Sequence, residues 1–252
     1  MADLAGLALV AGAGLVGGAM NALAGGGTFA TLPSLLAIGL PANTANATSN
    51  VALLPGAAAS AWAFRDELGP VGGVDWKLLA IVNFGGGLIG SLLLVMTPTR
   101  TFDLIIPWLV LYALVVLAAG KRAAEWLAAR VRIERCTLVG IQALLGIYGG
   151  YFGGGVGLMM TATYGLLAGL HPRSLFAPRT TMLAVANAAA AIVFVSFAMV
   201  VWPPCLAMLA GSIVGGWAGA HLGKRLPNGA VRAWTLLVTA ATTVVFFWRA
   251  YA

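Results

Sequence analysis

Three adjacent glycines, Gly25-Gly26-Gly27, interrupt an apolar run near the start of the chain, and a second triplet, Gly153-Gly154-Gly155, interrupts another in the second half. Inside a helix each glycine costs roughly 1 kcal/mol relative to alanine, so three in a row predict that the helix stops there. A broken helix at membrane depth is tolerated only where it packs within protein or lines a cavity. Matching breaks in two halves point to the substrate site of a transporter. Close helix packing through small residues is the alternative reading.

The runs around these breaks decide the class. Of 252 residues, 61% are hydrophobic and only 8% charged, which predicts an all-α polytopic membrane protein rather than a soluble domain. Ten apolar segments are legible, roughly 4–23, 28–40, 44–64, 76–97, 102–119, 134–151, 156–170, 177–199, 204–223 and 230–249. Eight are long enough to cross ~30 Å of hydrocarbon, and 28–40 and 156–170 are short or re-entrant. Met1 to Gly18 has no Lys or Arg before its apolar run, so it reads as a retained first helix rather than a cleaved leader.

The halves repeat: Gly39-Leu40 matches Gly169-Leu170, and Gly86-Gly87-Leu88-Ile89-Gly90 matches Gly215-Gly216-Trp217-Ala218-Gly219. An odd number of segments per half predicts inverted repeats, 1–120 and 136–252, joined by an amphipathic cytoplasmic linker at 121–135. The net charge of +7 comes from basic residues in short loops, which read as topology signals rather than as a nucleic-acid surface. Alternating ten segments puts every Lys and Arg except Arg100 and Arg249 in the cytoplasm, with both termini outside.

Candidate chemistry lies beside the breaks. Asn43 to Asn50 opens the third segment with amides and hydroxyls over two turns, suited to holding and releasing an anion. Capping accounts for Asn43 or Thr44 but not for Thr48, Ser49 and Asn50 deeper in the helix. In the second half Arg179 follows Pro178 at a predicted helix start, with Thr180 and Thr181 beside it. A helix N-terminus with an Arg and hydroxyls is an anion site in physical terms. Arg179 as a snorkelling cytoplasmic anchor is the competing reading. Asn21, Tyr148, Tyr151, Asn83 and Asn187 are weaker candidates, for which interhelical bonding is the commoner explanation.

The substrate set expected from the residues is Asn21, Gly25, Gly26, Gly27, Thr28, Thr48, Ser49, Asn50, Gly153, Gly154, Gly155, Arg179, Thr180 and Thr181. No nucleophile-and-base pair, intramembrane acid or metal-ligand spacing stands out, so neither an enzyme, a metal site nor a cofactor is expected. Cys136 and Cys205 are expected to stay free.

At Asn21 to Asn50 (Gly25-Gly26-Gly27-Thr28, then Gly39-Leu40-Pro41 and Thr44-Ala45-Asn46-Ala47-Thr48-Ser49) and at Gly153 to Thr181, the chain resembles the TauE/SafE family of bacterial sulfite exporters. The second-half entry, Leu170-His171-Pro172-Arg173, departs from the first half's Leu40-Pro41-Ala42-Asn43. The resemblance implies a multi-pass inner-membrane transporter of small sulfur-containing anions: sulfite, thiosulfate, sulfoacetate or related organosulfonates. The expectation is export by alternating access between the repeats, with the site near mid-membrane. An anion channel and a non-transporting scaffold subunit are the alternatives. The expected partners are a small anion and the lipid bilayer, with homo-oligomerisation left open.

Overall fold

A computed structural model describes residues 4–128, 134–167, 172–223 and 228–251. They form ten α-helices: α1 (Leu4–Leu23), α2 (Thr28–Ala37), α3 (Ala42–Ala63), α4 (Trp76–Met96), α5 (Thr99–Ala128), α6 (Arg135–Tyr151), α7 (Val156–Leu167), α8 (Phe176–Ser196), α9 (Trp202–Gly223) and α10 (Asn228–Tyr251). The expected stops are in place. Gly25, Gly153 and Gly155 adopt φ of +80°, +76° and +76°, a left-handed backbone that side-chain-bearing residues rarely enter.

Six helices are long and apolar enough to cross a membrane: α1, α4, the Thr99–Ala119 part of α5, α8, α9 and α10. The eight full spans expected from sequence also counted α3 and α6. The polar stretch Asn43 to Asn50 dilutes the hydropathy of α3, and α6 has only 17 residues. The third helix starts at Ala42, with Pro41 at its N-cap, so Asn43 lies inside the first turn. Asn43 Oδ1 accepts from Thr44 N–H (2.9 Å) and Thr99 Oγ1 (3.0 Å), fastening α3 to the start of α5. The fifth helix runs through to Ala128, so the first part of the expected linker helix, Lys121 to Ala128, is continuous with α5. Arg130, Arg132, Lys224 and Arg225, whose charges enter the topology expected from sequence, lie outside the described residues, as does His171.

Glycine faces set the closest packing. Cβ atoms added at Gly211, Gly215 and Gly219 would fall on the backbone of Ala11, Leu15 and Ala19, so α9 runs parallel to α1. Those added at Gly86 and Gly90 would strike the backbone at Ala143 and Ile147, and α4 runs parallel to α6. Small residues let these backbones touch, the usual route to tight association in lipid. The second contact is the first with the halves exchanged. The same holds for α3 on α9 and α8 on α4, while α3 packs on α8 and α5 on α10. Helices α5 and α10 are antiparallel: Arg232, near the start of α10, donates to the Ala118 carbonyl (3.1 Å), and Tyr251, at its end, donates to that of Leu104 (3.2 Å). Outward faces carry Trp62, Ile81, Met96, Trp217, Leu237, Val244 and Trp248, which suits contact with lipid and not with water.

Candidate functional site

The two glycine breaks meet in space. A Cβ on Gly25 would strike the Gly157 backbone, and one on Gly157 would lie 2.6 Å from Gly25 Cα. One on Gly155 would lie 3.0 Å from the Phe29 ring at the start of α2. At Gly153 it would lie 3.4 Å from Asn50 Nδ2 and 3.8 Å from Thr28 Oγ1. The polar opening turns of α3 therefore face the second break, and residues far apart in sequence share one buried region.

The expected residues divide by what they touch. Asn21 Oδ1 accepts from Gly27 N–H (2.7 Å), so this side chain holds the first break in shape. Gly25 N–H donates to the Met20 and Asn21 carbonyls. Gly26 packs on the Phe29 ring, and the Gly154 carbonyl accepts from Tyr148 Oη (2.8 Å). Ser49 and Thr31 share a hydroxyl bond of 2.6 Å, and Thr48 Oγ1 accepts from Val201 N–H (3.1 Å). Thr180 Oγ1 donates back to the Phe176 carbonyl (2.7 Å). Tyr151 Oη lies 3.3 Å from Thr97 Oγ1, tying the end of α6 to that of α4.

Arg179 is buried, which removes the snorkelling-anchor reading. Its guanidinium donates to the carbonyls of Ala22 (NH2, 2.7 Å) and Leu23 (NH1, 3.2 Å), the last residues of α1, and stacks 4.8 Å from the Phe176 ring centre. The C-terminal end of a helix is partially negative, so it attracts this cation. No acidic side chain is buried among the described residues. The side chain of Arg173 is outside them.

Four buried side-chain polar atoms lack a hydrogen-bond partner among the described residues: Asn46 Oδ1, Asn50 Oδ1, Arg179 Nε and Thr181 Oγ1. All four sit in the opening turns of α3 and α8. Buried polar groups are normally paired, at roughly 1–3 kcal/mol for each that is not. Asn46 and Arg179 bond the last residues of α6 and α1, so at least two of these residues border the breaks.

A second polar cluster reads differently. Asn83 Nδ2 donates to the Met182 carbonyl (2.7 Å), Gln142 Nε2 to Asn83 Oδ1 (2.8 Å), and Tyr164 Oη to Gln142 Oε1 (2.6 Å). This chain ties α4, α6, α7 and α8 together with its hydrogen bonds satisfied. Gln142 and Tyr164 were not singled out from sequence, because single polar residues in apolar runs carry no spacing signal. Asn83→Ala is expected to lower thermal stability, at roughly 1–3 kcal/mol for each group left unpaired, while the folded fraction keeps its function. Lost flux at wild-type stability would instead move Asn83 into the pathway.

Among protein families, the model for Sulfite exporter TauE/SafE matches residues 10–246. A probable membrane transporter protein of Haemophilus influenzae is 30% identical over 240 residues, 93% of either chain. The probable membrane transporter protein YfcA of Escherichia coli K12 is 25% identical over 90% of this chain and 84% of its own. The probable membrane transporter protein ORF9 of a Sinorhizobium species is 26% identical over 85% of this chain and 82% of its own. No solved structure matches.

Proposed function

The chain belongs to the sulfite exporter TauE/SafE family of multi-pass membrane transporters, and from that premise we propose that it exports a small sulfur-containing oxyanion across a bacterial inner membrane. Sulfite, thiosulfate, sulfoacetate and other organosulfonates are the substrate class. The carrying observation is the meeting of the two glycine breaks at Gly25 and Gly157, beside the polar openings of α3 and α8. Backbone N–H groups freed at the breaks, the Asn50 amide and the Thr28 and Thr181 hydroxyls are neutral donors for anion oxygens. Arg179 supplies charge. Ser49, Thr48, Asn21 and Thr180 shape this region through the bonds they already make.

Alternating access proceeds by one repeat rocking against the other. Support for inverted repeats comes from the packing, in which exchanging α1–α5 for α6–α10 turns most of one half's contacts into the other's, α3 on α5 being the exception. The antiparallel course of α5 and α10 agrees with the inverted rather than the parallel arrangement. A monoanion leaving a cell at 100 mV, negative inside, gains ~2.3 kcal/mol.

Purified protein in liposomes, under an imposed potential, tests the reading with sulfite, thiosulfate, sulfoacetate, sulfate and chloride. Saturable flux of sulfur oxyanions with chloride excluded is expected. Unsaturable flux of all five would make it a channel, and no flux of any would reject the substrate class.

A further inference from the structure

The two broken helices end differently, although their surroundings correspond. The last carbonyls of a helix have no intrahelical donor and carry partial negative charge. At the end of α1, the third helix of the other half brings in the Arg179 guanidinium, which takes the carbonyls of Ala22 and Leu23. At the end of α6, the third helix of the first half brings in only neutral groups. Asn46 Nδ2 donates to the Tyr151 carbonyl (3.1 Å), and Asn50 lies one turn on, beside Gly153.

The bond to Tyr151 fixes the Asn46 amide with its oxygen as the free end. That oxygen and the Asn50 Oδ1 are buried and unpartnered, on residues 1% and 5% exposed. The Gly153 N–H turns back to the Tyr148 carbonyl, so among the described residues no backbone donor reaches the Gly149 and Gly150 carbonyls. Two buried, unpartnered acceptor oxygens one turn apart on α3 are thus left beside a negative helix end, with no buried Lys or Arg there among the described residues to answer them.

We propose that a small monovalent cation of the sodium class binds at this point, between the amide oxygens of Asn46 and Asn50 and the open carbonyls at the end of α6. It takes the place that the Arg179 guanidinium holds at the end of α1. Hard cations are held by oxygen ligands, and carbonyls at interrupted helix ends are a recurrent source of them in transporters. The ligands are neutral and no acid is buried among the described residues, which favours a single charge over a divalent ion. An anion is disfavoured because the unpartnered atoms are acceptors. Asn50 would then serve two ligands: its oxygen faces the cation while its Nδ2 faces the second break. That last link rests on the anion reading above; the cation site itself does not.

Thermal unfolding of the purified full-length protein, in sodium chloride or choline chloride at one ionic strength and without added oxyanion, tests the site. Sodium is expected to raise the Tm by several degrees, saturably, with choline silent. Asn50→Ala should weaken the apparent sodium affinity at least tenfold. Asn50→Asp keeps the side-chain shape, adds a carboxylate and should strengthen it at least tenfold. Equal Tm values in the two salts for the wild type overturn the site. So does an Asn50→Asp protein that is equally destabilised with and without sodium, and this variant decides the matter if Asn50→Ala fails to fold. A sodium response in protein that moves no oxyanion would reject the anion reading alone; oxyanion flux without a sodium response would reject the cation site alone.

Discussion

Arg179→Met lowers oxyanion affinity by about a thousandfold while the protein still folds and inserts: this is the largest functional effect expected of a single side chain here. A unit charge 4 Å from an anion is worth about 4 kcal/mol at an effective dielectric of about 20, and each ~1.4 kcal/mol is tenfold in affinity. Arg179 is the only buried Lys or Arg among the described residues, and no acid is buried with it. Removing a charge from water without a counter-ion costs several kcal/mol. The Ala22 and Leu23 carbonyls, the negative end of α1 and the Phe176 ring offset part of that. A substrate anion would supply the missing countercharge. Methionine keeps much of the apolar stem and its packing. Arg179→Lys keeps the charge but loses the planar fork that reaches two carbonyls, so its affinity should fall between the two. Flux against anion concentration, read beside the Tm, separates the roles. Wild-type concentration dependence with a lowered Tm in Arg179→Met would leave Arg179 as a helix cap only.

The helix pattern was largely legible from sequence because the residues that stop helices here are glycines and prolines. The helix α1 ends at Leu23 and α2 begins at Thr28, on either side of Gly25 to Gly27. The continuity of α5 through Lys121 to Ala128 was less legible, since the helix expected at the linker shows no break from the apolar run except in composition. The polar openings of α3 and α8 stood out in the sequence through Asn43 to Asn50 and through Arg179 to Thr181. What their side chains do there did not. Arg179 on the end of α1 and Asn46 on the end of α6 both bond to backbone carbonyls, and a carbonyl has no residue type to recognise. Hydroxyls pose the same problem: Thr180 gives its proton to its own helix, while the Thr181 hydroxyl is left unpartnered. Two adjacent residues of α8 therefore hold one structural and one available hydroxyl.

The contact between the breaks carries the second large expectation: Gly157→Ala abolishes transport. Its added methyl would lie 2.6 Å from Gly25 Cα, against backbone that cannot step aside as a flexible side chain would. Within a helix, alanine normally gains roughly 1 kcal/mol over glycine, so a loss at this position cannot come from helix propensity. Overpacking of this kind costs about 1–3 kcal/mol. Gly25→Ala adds a second penalty, because φ of +80° costs a side-chain-bearing residue about 1–2 kcal/mol. Gly39→Ala isolates that strain: φ there is +88°, with nothing within 4 Å of the added methyl. Gly12→Ala has neither clash nor strain and should behave as wild type. The expected order of Tm loss is Gly25→Ala first, then Gly39→Ala, then Gly12→Ala, with flux lost in Gly25→Ala and Gly157→Ala but kept in the other two. If Gly157→Ala transports normally, the breaks can move apart without consequence, and their meeting does not form the binding region. If it folds and inserts yet carries no anion, the approach of two backbones, available only to glycine, is what the transport site requires.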